Sequence, residues 1–170
     1  MEPAEEYLTH AVVFHRKLGS VDESSTEDEQ KEKILFYFPS DVSVSGQLSK
    51  MSMIEGLIDF TNKFSTESIE YVTMENDTWA FKEVEPEVWI VVAMKNDTRD
   101  VQNDLPFRHR PNGRAMVRTL ERIYSLYRTF HGGFERTLAG PTGKGWEAIG
   151  NVCKLKKRIR KLDLRLRQEV

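Results

Sequence analysis

Cysteine is almost absent from the sequence, since Cys153 is the only one among 170 residues. A single thiol excludes an internal disulfide. No apolar run approaches the ~18–20 residues of a membrane span, and the acidic start, MEPAEEYLTH, lacks the apolar core of a secretory signal. With 39% hydrophobic and 31% charged residues, a wholly disordered chain is not expected. These absences favour a cytosolic protein with residues 1–170 forming one domain.

Motifs of catalytic and metal sites are also missing. The sequence has four histidines: His10, His15, His109 and His131. None shows the spacing of metal ligands, and no thiol–histidine motif surrounds Cys153. The glycine-rich residues 140–145 fail as a phosphate loop because Gly145 follows the lysine, where serine or threonine is needed. We expect neither an enzyme nor a bound cofactor or metal, although an enzyme of unrecognised chemistry stays an alternative.

Charge is distributed unevenly along the chain. Residues 1–107 contain 9 Lys/Arg and 22 Asp/Glu, a net charge of −13, whereas residues 108–170 contain 16 Lys/Arg and 5 Asp/Glu, a net charge of +11. The asymmetry indicates either two regions that meet different partners or pairing of the two halves within the molecule.

Hydrophobic patterning predicts a hairpin near the N-terminus. β-prone runs occur in residues 10–17 (HAVVFHRK) and 34–38 (ILFYF), and the second ends at Pro39. Residues 22–33 between them contain no apolar side chain and are interpreted as a solvated loop.

Residues 45–65 predict the clearest helix, with Ser45 as its N-cap. About half of its cylinder is apolar, which is wider than one sheet contact usually needs; that arc comprises Met51, Met53, Ile54, Leu57, Ile58, Phe60, Thr61 and Phe64. On the other half, Gly56 is either a tolerated glycine or a point where another backbone approaches closely. Glu55, Asp59 and Asn62 share that polar half and form either an acidic patch or ordinary solvated charge.

Three further strands are predicted at residues 69–74, 78–84 and 88–94. The unbroken apolar run VWIVVAM at 88–94 is typical of a central strand covered on both faces. A second helix from Asn112 or Gly113 to about Phe130 carries one apolar stripe, which comprises Met116, Leu120, Ile123, Tyr127 and Phe130.

A third helix is predicted at about residues 146–167, where basic side chains surround a Leu/Ile stripe. The chemistry fits either an anionic membrane, with contacts from Lys156, Lys157, Arg158 and Arg160, or a core stripe with a solvated back. Without interleaved aromatics, nucleic acid is not expected. The order β-β-α-β-β-β-α-α predicts an α/β fold with a five-stranded, mainly antiparallel sheet.

Three segments in sequence order resemble the first longin domain of the Ccz family: KILFYFPSDV (33–42), MIEGLIDFTNKFS (53–65) and FKEVEPEVWIVVAMKN (81–96). The resemblance runs over about residues 10–135 and implies the longin fold. The acidic 22–33 segment and the short 96–111 loop depart from the family pattern. Because family members are longer and contain further longin-type domains, the resemblance implies an excised first domain.

The resemblance also implies a function. Ccz proteins pair with Mon-type longin subunits to form a guanine nucleotide exchange factor for the late-endosomal and vacuolar Rab GTPase, recruited from the cytosol to the membrane surface. Pairing of the first longin domains builds the Rab-binding surface from the first helix and the neighbouring edge strand. In this sequence we expect the GTPase at Glu55, Asp59 and Asn62, and the partner subunit at Gly56, Ile69, Tyr71 and Thr73. The alternative is a non-catalytic longin scaffold in another trafficking complex, such as a Hermansky–Pudlak-type complex.

Overall fold

The structure is a computed structural model that describes residues 7–19, 26–96 and 111–134. Within these ranges the elements are β1 (Leu8–His15), α1 (Glu27–Lys31), β2 (Ile34–Phe38), α2 (Val44–Phe64), β3 (Tyr71–Thr73), β4 (Asp77–Glu85), β5 (Val88–Lys95) and α3 (Gly113–His131). The third helix predicted at 146–167, with Lys156, Lys157, Arg158 and Arg160, lies outside the described residues. In the described ranges, no helix combines the length and the apolar composition of a bilayer span, and no three His, Cys, Asp or Glu side chains are grouped to hold a metal.

The five strands form one antiparallel sheet in the order β2-β1-β5-β4-β3. The predicted pairing of the first two strands is confirmed, with Ala11 opposite Phe38 and Val13 opposite Phe36. The predicted central strand is also confirmed, because β5 pairs with β1 on one side and β4 on the other.

Helices cover both faces of the sheet, and β5 shows how the sequence specifies this. Its alternate residues Val88, Ile90, Val92 and Met94 pack in the core beneath α3. The intervening Trp89, Val91 and Ala93 pack in the core beneath α2. An unbroken apolar strand is stable only where both faces are covered, so the two helices occupy opposite sides of the sheet.

Two features near the N-terminal hairpin were predicted wrongly. Residues 27–31, expected in a loop, form α1 because Thr26 and Glu29 build a reciprocal capping box: each side chain accepts the other's backbone N–H. The N-cap of α2 is Ser43, not Ser45, since the Ser43 hydroxyl accepts the Gly46 N–H at 3.2 Å.

The end of α3 also differs from the prediction. Phe130, expected in the buried stripe, is 66% exposed. Gly132 ends the helix with a φ of 78°, a left-handed conformation suited to glycine, and the chain turns back toward the sheet. Phe134 then enters the core, where its ring stacks on Tyr127 at 4.7 Å between centroids. Its N–H donates to Glu85 Oε1 at 2.6 Å, which holds the returning chain on β4.

Candidate functional site

The helix α2 rests on the sheet through Met51, Ile54 and Ile58 and leaves two flanks beside this buried line. One flank lies over β4, because the Lys50 ammonium is 5.3 Å from the centroid of the Trp79 ring. The other lies over β1 and the start of β2, as ion pairs from Glu55 and Asp59 show. The two flanks therefore face different surroundings.

A second apolar line runs along the outside of α2. It comprises Met53, Leu57, Phe60 and Phe64, spaced by four, three and four residues, and is called the α2 stripe below. Met53 and Leu57 are partly buried against the core, whereas Phe60 is 62% and Phe64 77% exposed, with ring centroids 4.9 Å apart. Leu57 and Phe64 follow Lys50 at intervals of seven, so the stripe lies on the flank toward β4 and the sheet edge. The prediction that the apolar arc exceeds one sheet contact is confirmed.

Gly56 lies beside the α2 stripe and is exposed. A Cβ built on it would meet no atom within 4 Å. Packing within the described part of the chain therefore does not require glycine, although a glycine inside a helix costs about 1 kcal/mol relative to alanine. A missing side chain at an exposed helix position permits another backbone to come close.

Strand β3 is an edge of the sheet and is shorter than the predicted 69–74 strand. Thr73 is exposed and Tyr71 is 40% exposed. Ile69 precedes the strand and is only 8% exposed, so it supports the edge from the core rather than offering surface. The Tyr71 ring also lies against Gly113 at the start of α3, since a Cβ added to Gly113 would collide with this ring.

Asn96 holds the connection between β3 and β4 and was not recognised in the sequence. It is fully buried, and its Oδ1 accepts the Thr78 hydroxyl at 2.8 Å. Its Nδ2 donates to the carbonyls of Met74 and Glu75 at 2.9 and 3.1 Å, and its backbone N–H donates to the carbonyl of Asn76. One amide thus satisfies groups on both sides of the turn that presents the edge strand.

The residues predicted to contact the GTPase lie on the other flank of α2. Asp59 Oδ1 is 2.5 Å from Arg16 Nη2, and Glu55 Oε1 is 3.6 Å from Lys33 Nζ. Asn62 is exposed on the same side of the helix. The structure therefore groups Glu55, Asp59 and Asn62 and separates them from the α2 stripe. It also supplies two cations that the helical spacing alone does not reveal.

A histidine lies beneath the N-terminal half of α2. His10 stacks on Trp79 at 5.7 Å between centroids and meets Tyr37 edge-on at 6.3 Å. Burial lowers the pKa of His10, the Lys50 ammonium lowers it further, and Asp77 opposes both. Among the described residues, its Nδ1 has no hydrogen-bond partner. The surroundings therefore favour the neutral form of the imidazole where α2 meets the sheet.

The sequence model of the family described as "First Longin domain of INTU, CCZ1 and HPS4" matches residues 8–132. That range contains all five strands and the three described helices in full. The chain therefore belongs to this family, and the predicted longin fold is confirmed.

Within that family, the chain is similar to curated proteins named vacuolar fusion protein CCZ1 homolog, which confirms the predicted resemblance. The chain is 35% identical over 120 residues to vacuolar fusion protein CCZ1 homolog A of Arabidopsis thaliana, covering 69% of this chain and 22% of that protein. It is 26% identical over 129 residues to the CCZ1 homolog of Dictyostelium discoideum, covering 74% and 28%. For the Xenopus laevis homolog the identity is 26% over 141 residues, covering 79% and 28%. The chain thus matches less than a third of each relative's length.

Proposed function

We propose that this longin domain pairs with a Mon-type longin subunit to form a guanine nucleotide exchange factor for a late-endosomal or vacuolar Rab GTPase. Relatives named vacuolar fusion proteins support a role in vacuolar traffic and recruitment to that membrane. The observation that carries the proposal is the α2 stripe, with Phe60 and Phe64 exposed near the end of the helix that precedes the edge strand β3.

The partner subunit binds the α2 stripe and β3. Adjacent exposed phenylalanines supply a large apolar area, and such aromatic side chains at the centre of an interface carry much of its binding energy. An uncovered edge strand offers backbone donors and acceptors that a partner strand completes. Gly56 lies beside Phe60, where its missing side chain lets the partner backbone approach. Tyr71 and Thr73, whose side chains lie on the α3 side of the sheet, extend the contact along the edge.

The GTPase binds the acidic flank of α2, formed by Glu55, Asp59 and Asn62. That flank faces away from the α2 stripe, so one helix serves both partners. Exchange requires only that the complex bind the nucleotide-free GTPase more tightly than the loaded form. A lysine of the GTPase switch would replace Arg16 as the ion-pair partner of Asp59. That lysine would then be drawn away from the phosphate site of the GTPase. No covalent step and no cofactor are involved.

The test is release of a fluorescent guanine nucleotide from the Rab in the presence of this chain, a Mon-type subunit, or both. We expect rapid release only with both chains, because each supplies part of the surface. Equal release when this chain is omitted would contradict the proposal. A stable pair that leaves release at its intrinsic rate would favour the second candidate, a scaffold in a Hermansky–Pudlak-type complex, which the HPS4 branch of the family supports.

A further inference from the structure

The outward surface of α3 carries a line of arginines that the proposed exchange function does not use. Arg114, Arg118 and Arg122 are spaced by four residues, so their side chains lie on one face of the helix. All three are exposed. This line, the α3 arginine face, spans about 12 Å along the axis at 1.5 Å per residue.

The three guanidinium groups have no acidic partner among residues 7–19, 26–96 and 111–134. Glu121 is the sole carboxylate on α3, and it points to the sheet, where it pairs with Lys82 of β4 at 2.5 Å. The first turn of α3 contains no acidic residue, although cations near a helix N-terminus oppose the helix dipole. The face is therefore an array of positive charge that the described part of the chain leaves uncompensated.

Apolar side chains follow the arginine line toward the C-terminal end of α3, on a row that turns by about 40° around the helix with each four-residue step, which places Leu126 beside Arg122 and Phe130 beyond it. Leu126 follows Arg122 by four residues and is 47% exposed, and Phe130 follows Leu126 by four and is 66% exposed. Neither joins the buried core of the domain. A row of cations that ends in exposed leucine and phenylalanine is typical of helices that lie in a membrane interface.

We propose that the α3 arginine face binds the surface of a membrane that contains anionic phospholipids. The guanidinium groups bind headgroup phosphates, for which their paired donors are suited. Leu126 and Phe130 enter the boundary between headgroups and acyl chains. Charge complementarity carries the choice of an anionic surface, and the exposed leucine and phenylalanine favour a lipid surface over an acidic protein.

The α3 arginine face is separate from the α2 surfaces that the proposed exchange function uses; within this face, Arg114 follows Gly113, which lies against Tyr71 of the partner-binding edge, and the variants below leave Arg114 unchanged. α3 lies on the opposite face of the sheet from α2, so a membrane on α3 leaves the α2 stripe and the acidic flank accessible. Nucleotide exchange in solution should therefore be normal in variants that lose membrane binding. Membrane binding should likewise be normal in variants of the α2 surfaces that lose exchange.

The test is co-sedimentation of the full 170-residue chain with phosphatidylcholine vesicles that either contain or lack phosphatidylserine. The variant Arg118→Glu/Arg122→Glu should bind the anionic vesicles at least about tenfold more weakly, since each basic side chain near such a surface contributes about fivefold in binding. The matched control, Lys31→Glu/Lys63→Glu, makes the same change in net charge at exposed positions away from α3 and should bind like the parent. Leu126→Ser/Phe130→Ser should weaken binding without changing its salt dependence, because it removes no charge.

Urea unfolding of each variant establishes that the fold is retained. The proposal is overturned if the parent chain does not sediment with anionic vesicles, or if both double charge reversals reduce binding equally. It is also overturned if reversing Lys156, Lys157, Arg158 and Arg160 abolishes sedimentation while the α3 reversal leaves it unchanged. Binding to soluble poly-glutamate without binding to vesicles would instead identify α3 as a docking face for an acidic protein.

Discussion

Asp59 of α2 and Arg16, the residue that follows β1, form an ion pair, with 2.5 Å between Oδ1 and Nη2, although they are 43 residues apart in the sequence. The Asp59 side chain is 53% exposed, so the pair joins the helix to the sheet and stays accessible from outside. An accessible pair of this kind contributes about 0–1 kcal/mol to stability. Its carboxylate can therefore change partners at little cost to the fold.

Asp59→Lys should slow Rab nucleotide release by the paired subunits, and the defect should shrink as salt rises, because exposed charges are screened. A charge swap, Arg16→Asp with Asp59→Arg, restores the ion pair but places the wrong charge toward the GTPase. Exchange should stay slow in the swap if the GTPase contacts Asp59. Recovery of the parental rate would show that only the internal ion pair matters. Release rates at low and high salt measure both effects.

Phe60→Ser with Phe64→Ser should weaken binding to the Mon-type subunit by at least about tenfold, because exposed aromatic side chains at an interface centre carry much of its affinity. The free domain should keep its stability, since both rings are mostly exposed. Ile58→Ala is the contrasting variant: it empties a fully buried position and should cost about 2–5 kcal/mol. Calorimetric titration and urea unfolding separate the two results, and full affinity of the double-serine variant would remove the α2 stripe from the interface.

Gly56→Ala should stabilise the free chain by about 1 kcal/mol, because alanine is the better helix former and the added methyl group meets nothing. The same change should weaken partner binding if a partner backbone lies against Gly56. Gly113→Ala is the opposite case, since its Cβ collides with Tyr71 and should destabilise the domain. Thermal unfolding and partner titration give both quantities, and unchanged affinity of the Gly56 variant would argue for a merely tolerated glycine.

Asn96→Ala should cost about 2–4 kcal/mol, because it leaves the Thr78 hydroxyl and the carbonyls of Met74 and Glu75 without their buried partner. Since Asn96 fixes the turn after β3, partner affinity should fall as well, even though Asn96 is inaccessible. Asn62→Ala, at an exposed position on α2, should change stability little. Equal urea midpoints for the two variants would disprove this role.

Stability should decrease as the pH falls below 6.5, the ordinary pKa of histidine. The fold lowers the pKa of His10, chiefly through burial, so the unfolded chain takes up this proton first. The contribution of His10 is thus intact above pH 6.5 and declines as the pH falls toward the lowered value. His10→Gln should flatten this decline in urea unfolding measured from pH 7.5 to 5.5, a window of about one unit either side of 6.5. His15 and His131 remain in both proteins, so parallel curves would exclude His10 as the cause.

The sequence predicted the sheet well because its strands carry strong local patterns. The run VWIVVAM specifies a strand covered on both faces, and α3 begins at Gly113, one of the two predicted starts, with Asn112 as its N-cap. The missed helix α1 also has a local cause. Its Thr26–Glu29 capping box is visible in the sequence, but the segment contains no apolar residue and was therefore interpreted as a loop.

The candidate site was less predictable because it depends on contacts between distant segments. Helical spacing grouped Glu55, Asp59 and Asn62, but it gave no sign that Arg16 and Lys33 pair with two of them. The apolar arc of α2 was evident in the sequence. The position of the sheet, which the sequence of the helix does not show, decides which of its phenylalanines face solvent. Asn96 was interpreted as the first residue of a polar loop. Its burial depends on contacts with the β3–β4 region, and nothing in the neighbouring sequence indicates them.

Because the Tyr71 ring lies against Gly113, we expect the edge strand and the first turn of α3 to open together in local fluctuations. A fluctuation that peels β3 from β4 must also withdraw the ring from the helix, so hydrogen exchange of the Tyr71–Thr73 amides should follow that of the first turn of α3. A partner bound at the edge strand would then slow hydrogen exchange in the first turn of α3, at amides that this partner does not touch.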